Sequence, residues 1–346
     1  MKRFMFALLA ILFAQSVVKC TDDYDDNISY GSVNNFVWKG LNLYYFWLSD
    51  SPDLADDRFA SGSDYDNFIN SFNSPEAIFN HLLVEPTIDR YSVIFSDYTV
   101  LEQILSGTQK SNGIDYELRF KEGSTTELFG WVRYIQPNSD ASTKAINRGD
   151  IFYAVNGISL NTSNYINLLN QDNYTLNLAE FDNGAITPNG NSVSLTKTDY
   201  SENPVYIRKV FEEGTKKIGY LMYNGFFGNF ETDLNNAFGF FQSEGITHLI
   251  LDLRYNSGGS VNTATRLASM ITGQFNNQVF AKQQWNYKIE NLINNPEQLL
   301  NRFTNSLGNG NGINHLNLDK VYILTTKRSA SASELVINGL APYIDV

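Results

Sequence analysis

The chain has one cysteine in 346 residues, Cys20, so no disulfide can close within it. Histidine is almost as scarce. His81, His248 and His315 lie far apart and show no ligand spacing, so they do not read as a zinc site. Basic runs are missing after Lys2-Arg3, and the formal net charge is -12. Phosphate neutralisation needs clustered Lys and Arg, so nucleic acid and anionic membrane are excluded as main partners. The glycine-rich phosphate signatures, G-x-G-x-x-G and the Walker pattern, are both absent. No internal repeat and no long low-complexity tract is present.

What is there begins with an export signal. Lys2 and Arg3 precede an apolar run, Phe4 to Phe13, which is too short to span a bilayer. Residues 1–20 therefore read as a signal peptide. Cys20 stands where a lipoprotein signal would be cut and lipidated, and an acidic tether, 21–29, follows with Asp22, Asp23, Asp25 and Asp26. Val17 and Val18 suit such a site and Lys19 does not, so a plain signal peptide with an incidental cysteine stays open. Export places the protein in the periplasm or cell envelope, and a lipid at Cys20 would be its one membrane attachment.

Hydrophobic residues make up 42% of the chain, enough for real cores, and the length suits two or three domains. Residues 30–106 read as a helical, aromatic-rich domain. Val33, Val37, Leu41, Tyr44 and Leu48 recur on one helical face, and Ser51-Pro52 ends that helix. Residues 107–200 read as a small β module. Short β-rich runs (116–120, 129–135, 151–155, 174–178) are separated by polar turns, and Asn156-Gly157 and Asn189-Gly190 are tight-turn signals. From 205 to 346 the grammar alternates strands and helices. Ile218 to Tyr223, His248 to Leu253 and Val321 to Leu324 read as buried strands, and Ser331 to Leu340 as a helix. This is an α/β domain.

Two strand-turn-helix units could carry chemistry. The first is Asp252-Leu253-Arg254-Tyr255-Asn256-Ser257-Gly258-Gly259. Paired glycines let the backbone turn sharply and let another molecule approach it. Free N–H groups at the following helix start favour negative charge, which makes an oxyanion-stabilising turn or a phosphate-binding turn. The second unit is Ala330-Ser331-Ala332-Ser333-Glu334. A serine on a strand-to-helix turn can be held as a nucleophile. Ser331-x-x-Glu334 is also a capping-box pattern, so Ser331 can equally cap its helix. Adjacent parallel strands would put both turns at one sheet edge, where α/β proteins place their sites. A serine and backbone donors are two of the parts that acyl transfer needs, the third being a base.

The run Asp252-Leu253-Arg254-x-Asn256-x-Gly258-Gly259, followed by Ser331-Ala332-Ser333-Glu334, resembles the C-terminal-processing (tail-specific) serine proteases. Arg148-Gly149-Asp150-Ile151 with Val155-Asn156-Gly157 resembles a PDZ segment, and the order of helical region, PDZ and protease core is also that family's. The resemblance implies a multidomain α/β fold: a helical N-terminal region, a PDZ-like β module, and a crotonase-like protease core. It implies Ser331 as nucleophile, with the N–H of Ala332 and of Gly258 or Gly259 as oxyanion donors. Asp252, Arg254, Asn256 and Glu334 match motif positions read as structural. The PDZ module would take a substrate tail by strand addition, with Phe129-Gly130-Trp131-Val132 as the candidate segment. The implied partners are protein or peptide substrates recognised by their C-terminal tails. No metal, nucleotide or organic cofactor is implied. In this family a lysine roughly 25 residues after the serine is the general base. No lysine follows Lys327, and Val346 falls where the family's next strand would begin, so the chain reads as truncated. The rival reading is a noncatalytic, surface-tethered peptide-binding protein that keeps the PDZ and the protease scaffold.

Overall fold

The computed structural model describes residues 30–346. The signal peptide, Cys20 and the acidic tether lie outside the described residues. The chain divides into two compact units. One contains residues up to Ile94 together with Gln284–Asn294, and the other contains Phe95–Gln283 and Asn295–Val346.

The first unit is helical, with α1 (Tyr30–Tyr44), α2 (Gly62–Asn70) and α3 (Pro75–Leu82). Ser61 and Ser74 cap α2 and α3 by accepting from Asp64 N and Ala77 N, and Pro75 opens α3. Val37 and Leu41 of the sequence stripe pack on a core of Leu54, Ile69, Ile78 and Leu82. The stripe fails at Tyr44, which is 59% exposed; α1 stops there, and Leu48, the stripe's last member, is buried in the turn that follows, together with Tyr45. The helix Tyr287–Leu292, far along the chain, belongs to this unit. Its cap residue Asn286 donates to the carbonyls of Leu43 (2.9 Å) and Tyr45 (2.8 Å) and accepts from Ile289 N (3.0 Å). Asn286→Ala removes a helix cap and strands two carbonyls. A loss of about 2–4 kcal/mol is expected, read as a lower urea midpoint.

In the second unit, α4 (Tyr98–Ser106) precedes β1 (Thr108–Ser111), β2 (Ile114–Phe120), β3 (Leu128–Ile135), β4 (Ile151–Val155), β5 (Ile158–Ser159), α5 (Tyr165–Leu169), β6 (Asn173–Asp182), β7 (Ala185–Thr196) and β8 (Thr198–Ser201). The helical unit therefore ends at Ile94 rather than 106. Gly107 ends α4 at φ 68°, and its α-carbon lies against Phe227, so this helix is tied to the second unit. The β module has strand order β2-β3-β4-β6-β7 with β5 on β4, and β1 pairs β8 separately. Asn156-Gly157 forms the β4–β5 turn with both φ positive. Asn189-Gly190 does not turn the chain: it lies inside β7, opposite an irregularity in β6. The β6–β7 turn is Asn183-Gly184, at φ 47° and 96°. Both dipeptides carry the same local signal, and strand length chooses between them.

The α/β part contains β9 (Val205–Glu213), β10 (Lys216–Tyr223), α6 (Glu231–Glu244), β11 (His248–Asp252), α7 (Val261–Thr272), β12 (Val279–Lys282), β13 (Leu300–Arg302), β14 (Tyr322–Leu324) and α8 (Ala332–Leu340). The sheet order is β14-β11-β10-β9. β10, β11 and β14 run parallel, and β9 is an antiparallel edge. Leu234, Phe238 and Phe241 of α6, Leu267 and Ile271 of α7, and Val336 and Leu340 of α8 cluster with Leu221, Leu249 and Leu251 of the strands. On the sheet's other face, Ile218, Tyr220, Ile250, Tyr322 and Leu324 line an apolar depression of about 400 Å³.

Candidate active site

β11 and β14 are parallel neighbours, so the segments that leave their carboxyl ends meet at one edge. The contact is close. An added Cβ at Gly258, which holds φ 113°, would stand 2.7 Å from Ser331 Cβ, 3.0 Å from the Ala330 carbonyl and 3.1 Å from Ala332 N. Only a glycine lets these two turns come together. A Cβ at Gly259, φ 132°, would meet the Phe226 carbonyl at 2.5 Å. That carbonyl accepts from Ser260 N (2.8 Å), and Phe226 N donates to the Gly258 carbonyl (2.9 Å). The segment after β10 thus buttresses the glycine turn from behind.

Ser331 holds φ 53° and ψ −116°, a conformation that side-chain-bearing residues rarely adopt. Such strain costs on the order of 1–3 kcal/mol and persists where the surroundings over-determine it. The surroundings here are specific. Glu334 Oε2 accepts from Ser331 N at 3.0 Å. The Ser333 hydroxyl donates to the Asn256 carbonyl (3.0 Å), Ser329 to the Leu253 carbonyl (2.7 Å) and Thr326 to the Arg254 carbonyl (2.6 Å). Three hydroxyls of one segment therefore hold three carbonyls of the other. A helix cap alone needs an extended residue. The φ and ψ of Ser331 are those of a sharp strand-to-helix elbow.

The motif residues of the first turn are structural in geometry. Asn256 is fully buried. It donates to the Tyr223 carbonyl (2.9 Å) and accepts from Gly258 N (2.8 Å). Gly259 N has no acceptor among the described residues, and Ala332 N is the first N–H of α8. Asp252 is fully buried at the end of β11. It accepts from Tyr220 Oη (2.6 Å) and from Arg254 N (3.0 Å), Nε (3.0 Å) and Nη2 (2.6 Å). Burial alone would raise its pKa. The bonds from Arg254 and Tyr220 outweigh that and hold it below the usual carboxylate value. Burial first, and then the same carboxylate, push the Tyr220 phenol up to about 12.

Tyr255, the residue left blank in the motif, is where the β module meets this turn. Tyr134 stacks on it with centroids 5.5 Å apart, and the guanidinium groups of Arg133 and Arg148 lie 5.1 Å and 5.8 Å from its ring. Arg133 is held bidentate by Asp115. A single aromatic in the position the motif leaves open gave no sequence signal for this contact. The hydroxyls of Thr326 and Ser329 were likewise missed, since serine and threonine near a turn read as ordinary turn residues.

The four β-module residues are placed differently from expectation. Phe129, Gly130, Trp131 and Val132 lie on β3, which pairs β2 along its length and β4 at Gly130 and Trp131. A peptide cannot add as a strand there, because both edges are taken. The open edges of this sheet are β2 and β7. Val132 is buried in the module core, and a Cβ at Gly130 would strike Phe152, while Phe129 and Trp131 face a cleft on the other side. Among the described residues of the second unit, His248 opens β11 at the sheet's far end and His315 lies against Gly273 after α7, so neither is part of the Ser331 turn; His81 pairs with Asp53 within the helical unit.

Three parallel strands of this sheet present a strained serine opposite a glycine-lined turn, an arrangement suited to a serine nucleophile. The chain belongs to peptidase family S41. "Peptidase family S41" matches residues 217–341, and "Peptidase S41 N-terminal domain" matches residues 32–93. A crystal structure described as a "Putative S41 protease" from Bacteroides fragilis superposes with a TM-score of 0.64 at 26% identity, covering 90% of this chain and 76% of that one. A "Carboxyl-terminal-processing protease" from Picosynechococcus is 32% identical over 79 residues, which is 23% of this chain and 19% of that protein. A "Probable CtpA-like serine protease" from Staphylococcus epidermidis is 28% identical over 139 residues, 40% of this chain and 25% of the relative. The matches thus span a quarter or less of these curated relatives.

Proposed function

We propose that the protein is an exported serine endopeptidase that cleaves other proteins near their C-termini by a Ser-Lys mechanism. Ser331 is the nucleophile. The N–H of Ala332 and a glycine N–H of the Gly258-Gly259 pair receive the oxyanion. Residues 107–200 act as a PDZ-like module that captures the substrate tail, and residues 205–346 form a crotonase-like core. The observation that carries this reading is the strained φ of Ser331 combined with the bare approach of Gly258 to its Cβ. A residue that merely capped α8 would need neither.

The lysine that the mechanism requires does not follow Ser331 within these 346 residues. The 346-residue polypeptide is therefore expected to give no hydrolysis of an unstructured reporter. Turnover by that polypeptide, abolished by Ser331→Ala, would overturn the assignment of the base to a lysine that follows Ser331. It would place the base among residues 1–346. A second reading is a peptide-binding protein on a protease scaffold. A polypeptide carrying everything its gene encodes, tested for cleavage and for tail binding, separates the two. Cleavage supports the peptidase; tail binding without cleavage supports the binder.

Lipid attachment at Cys20 would tether the protein to the cell envelope. Radiolabelled palmitate should enter the exported protein and be lost in Cys20→Ser. Label that survives the substitution removes the anchor.

A further inference from the structure

The segment behind the glycine turn is fastened to α7 at both of its ends. It runs from Asn224 to Glu231, between β10 and α6. The first fastening is backbone. Phe226 N donates to the Gly258 carbonyl, and the Phe226 carbonyl accepts from Ser260 N, the cap residue of α7. The middle is wedged, because an added Cβ at Gly107 or Gly225 would stand 2.6 Å or 2.5 Å from the Phe227 ring. The far fastening is Glu231, the first residue of α6. Its carboxylate accepts from the Thr263 hydroxyl at 2.8 Å and from Arg266 Nη1, and both donors belong to α7.

This ion pair is well covered. Glu231 is 7% exposed and Thr263 is fully buried. A Cβ at Gly308 would stand 3.2 Å from Arg266 Nη2, so the loop at 308 lies over the guanidinium. No side chain caps α6, and Thr263 lies in the first turn of α7. One carboxylate therefore meets the positive ends of two helices. Its charge also reaches Tyr223, whose buried hydroxyl has no partner among the described residues. Burial first, and then Glu231, raise that phenol's pKa. The Tyr223 carbonyl is the group to which Asn256 donates, and the Tyr223 ring packs edge-on against Phe226 at 5.2 Å.

Stability does not account for such a pair. Desolvation offsets its attraction, and apolar residues of the same size often do as well. What apolar packing lacks is direction, whereas a charge-assisted hydrogen bond fixes a register. Without it, α6 can shift along α7 with its apolar face still covered, and Phe226 then leaves Ser260 and Gly258. We infer that Glu231 is a positioning residue: through Thr263 and Arg266 it fixes the segment 224–231 against α7, and so sets the backbone donors of Gly258-Gly259 opposite Ser331. The inference rests on the peptidase reading above and adds to it a residue outside both motifs that touches no substrate.

Glu231→Gln leaves Arg266 without its anion and is expected to lower stability. The deciding variant is therefore Glu231→Leu with Arg266→Met and Thr263→Val, which removes every polar group of the cluster and keeps its volume. Its melting temperature should stay close to that of the unsubstituted protein. Amide hydrogen exchange in the fragment 256–262 of the 346-residue polypeptide should nevertheless quicken about tenfold, while 266–272 keeps its protection. In a polypeptide carrying everything its gene encodes, kcat on an unstructured reporter should fall about tenfold with KM unchanged, because oxyanion donors act in the transition state. Thr272→Val is the control. It removes a buried hydroxyl bond to the Ala268 carbonyl (2.9 Å) at the other end of α7, and should lower stability while leaving kcat and the exchange of 256–262 unchanged. Unchanged exchange of 256–262 in the triple variant overturns the inference. Wild-type kcat in that variant, with kcat lost in Glu231→Gln only as stability is lost, also overturns it and makes the ion pair a structural prop. An unsubstituted full-length polypeptide that cleaves nothing overturns the peptidase reading instead, and the exchange measurement still decides whether Glu231 holds the turn.

Discussion

Ser331→Ala, made in a polypeptide that carries all its gene encodes, is expected to lower peptide hydrolysis by about four orders of magnitude or more while leaving tail affinity unchanged. The size follows from the role. A nucleophile forms the covalent intermediate, and a methyl group cannot, so what persists is the catalysis that binding and oxyanion donors supply alone. Stability should barely move, because alanine keeps both the Ser331 backbone conformation and the bond from its N–H to Glu334. Ser331→Gly should go further. It removes activity equally and raises the melting temperature, because glycine accepts φ 53° without strain. Hydrolysis that survives Ser331→Ala would make the residue a cap, and so would a drop in stability like that of a lost helix cap.

Asn256→Ala should be the most damaging substitution that touches no substrate. The side chain is fully buried and holds two backbone groups, the Tyr223 carbonyl and Gly258 N–H. Alanine strands both away from water. At about 1–3 kcal/mol for each orphaned group, a loss near 4 kcal/mol is expected in urea unfolding. Activity should fall further than stability explains, because Gly258 is the residue that meets Ser331. Asn256→Asp is the control. It keeps an acceptor for Gly258 N–H but sets an anionic oxygen against the Tyr223 carbonyl. It should be no better than alanine in stability. If both variants fold at wild-type stability and retain kcat, the glycine turn is not positioned by Asn256.

Much of this site is legible in the sequence because it rests on backbone rules. His248 to Leu253 is apolar enough to be a buried strand, and paired glycines after it require an unusual turn. Ser331 with Glu334 marks a helix start, and the parallel neighbours β11 and β14 bring the two turns together. What was not legible depends on partners distant in the chain. Nothing local marks Thr326 and Ser329 as anchors for the carbonyls of Arg254 and Leu253. Nothing local shows that β3 has neighbours on both sides, which moves the peptide site off Phe129-Gly130-Trp131-Val132 as an added strand. β9 escaped notice for a related reason. Its charged, half-exposed residues follow no clean alternation, and it is an edge strand, where pairing rather than burial fixes the conformation.

The helix that Asn286 caps has a consequence for how the protein is made. The first unit to leave the ribosome contains residues up to Ile94, but its last piece is Gln284–Asn294. Until that piece arrives, the carbonyls of Leu43 and Tyr45 lack the donor they have in the finished protein. At about 5–20 residues per second, the wait is roughly 10–40 s. The N-terminal unit therefore begins first and completes late, and through that interval the carbonyls of Leu43 and Tyr45 must be satisfied by water instead.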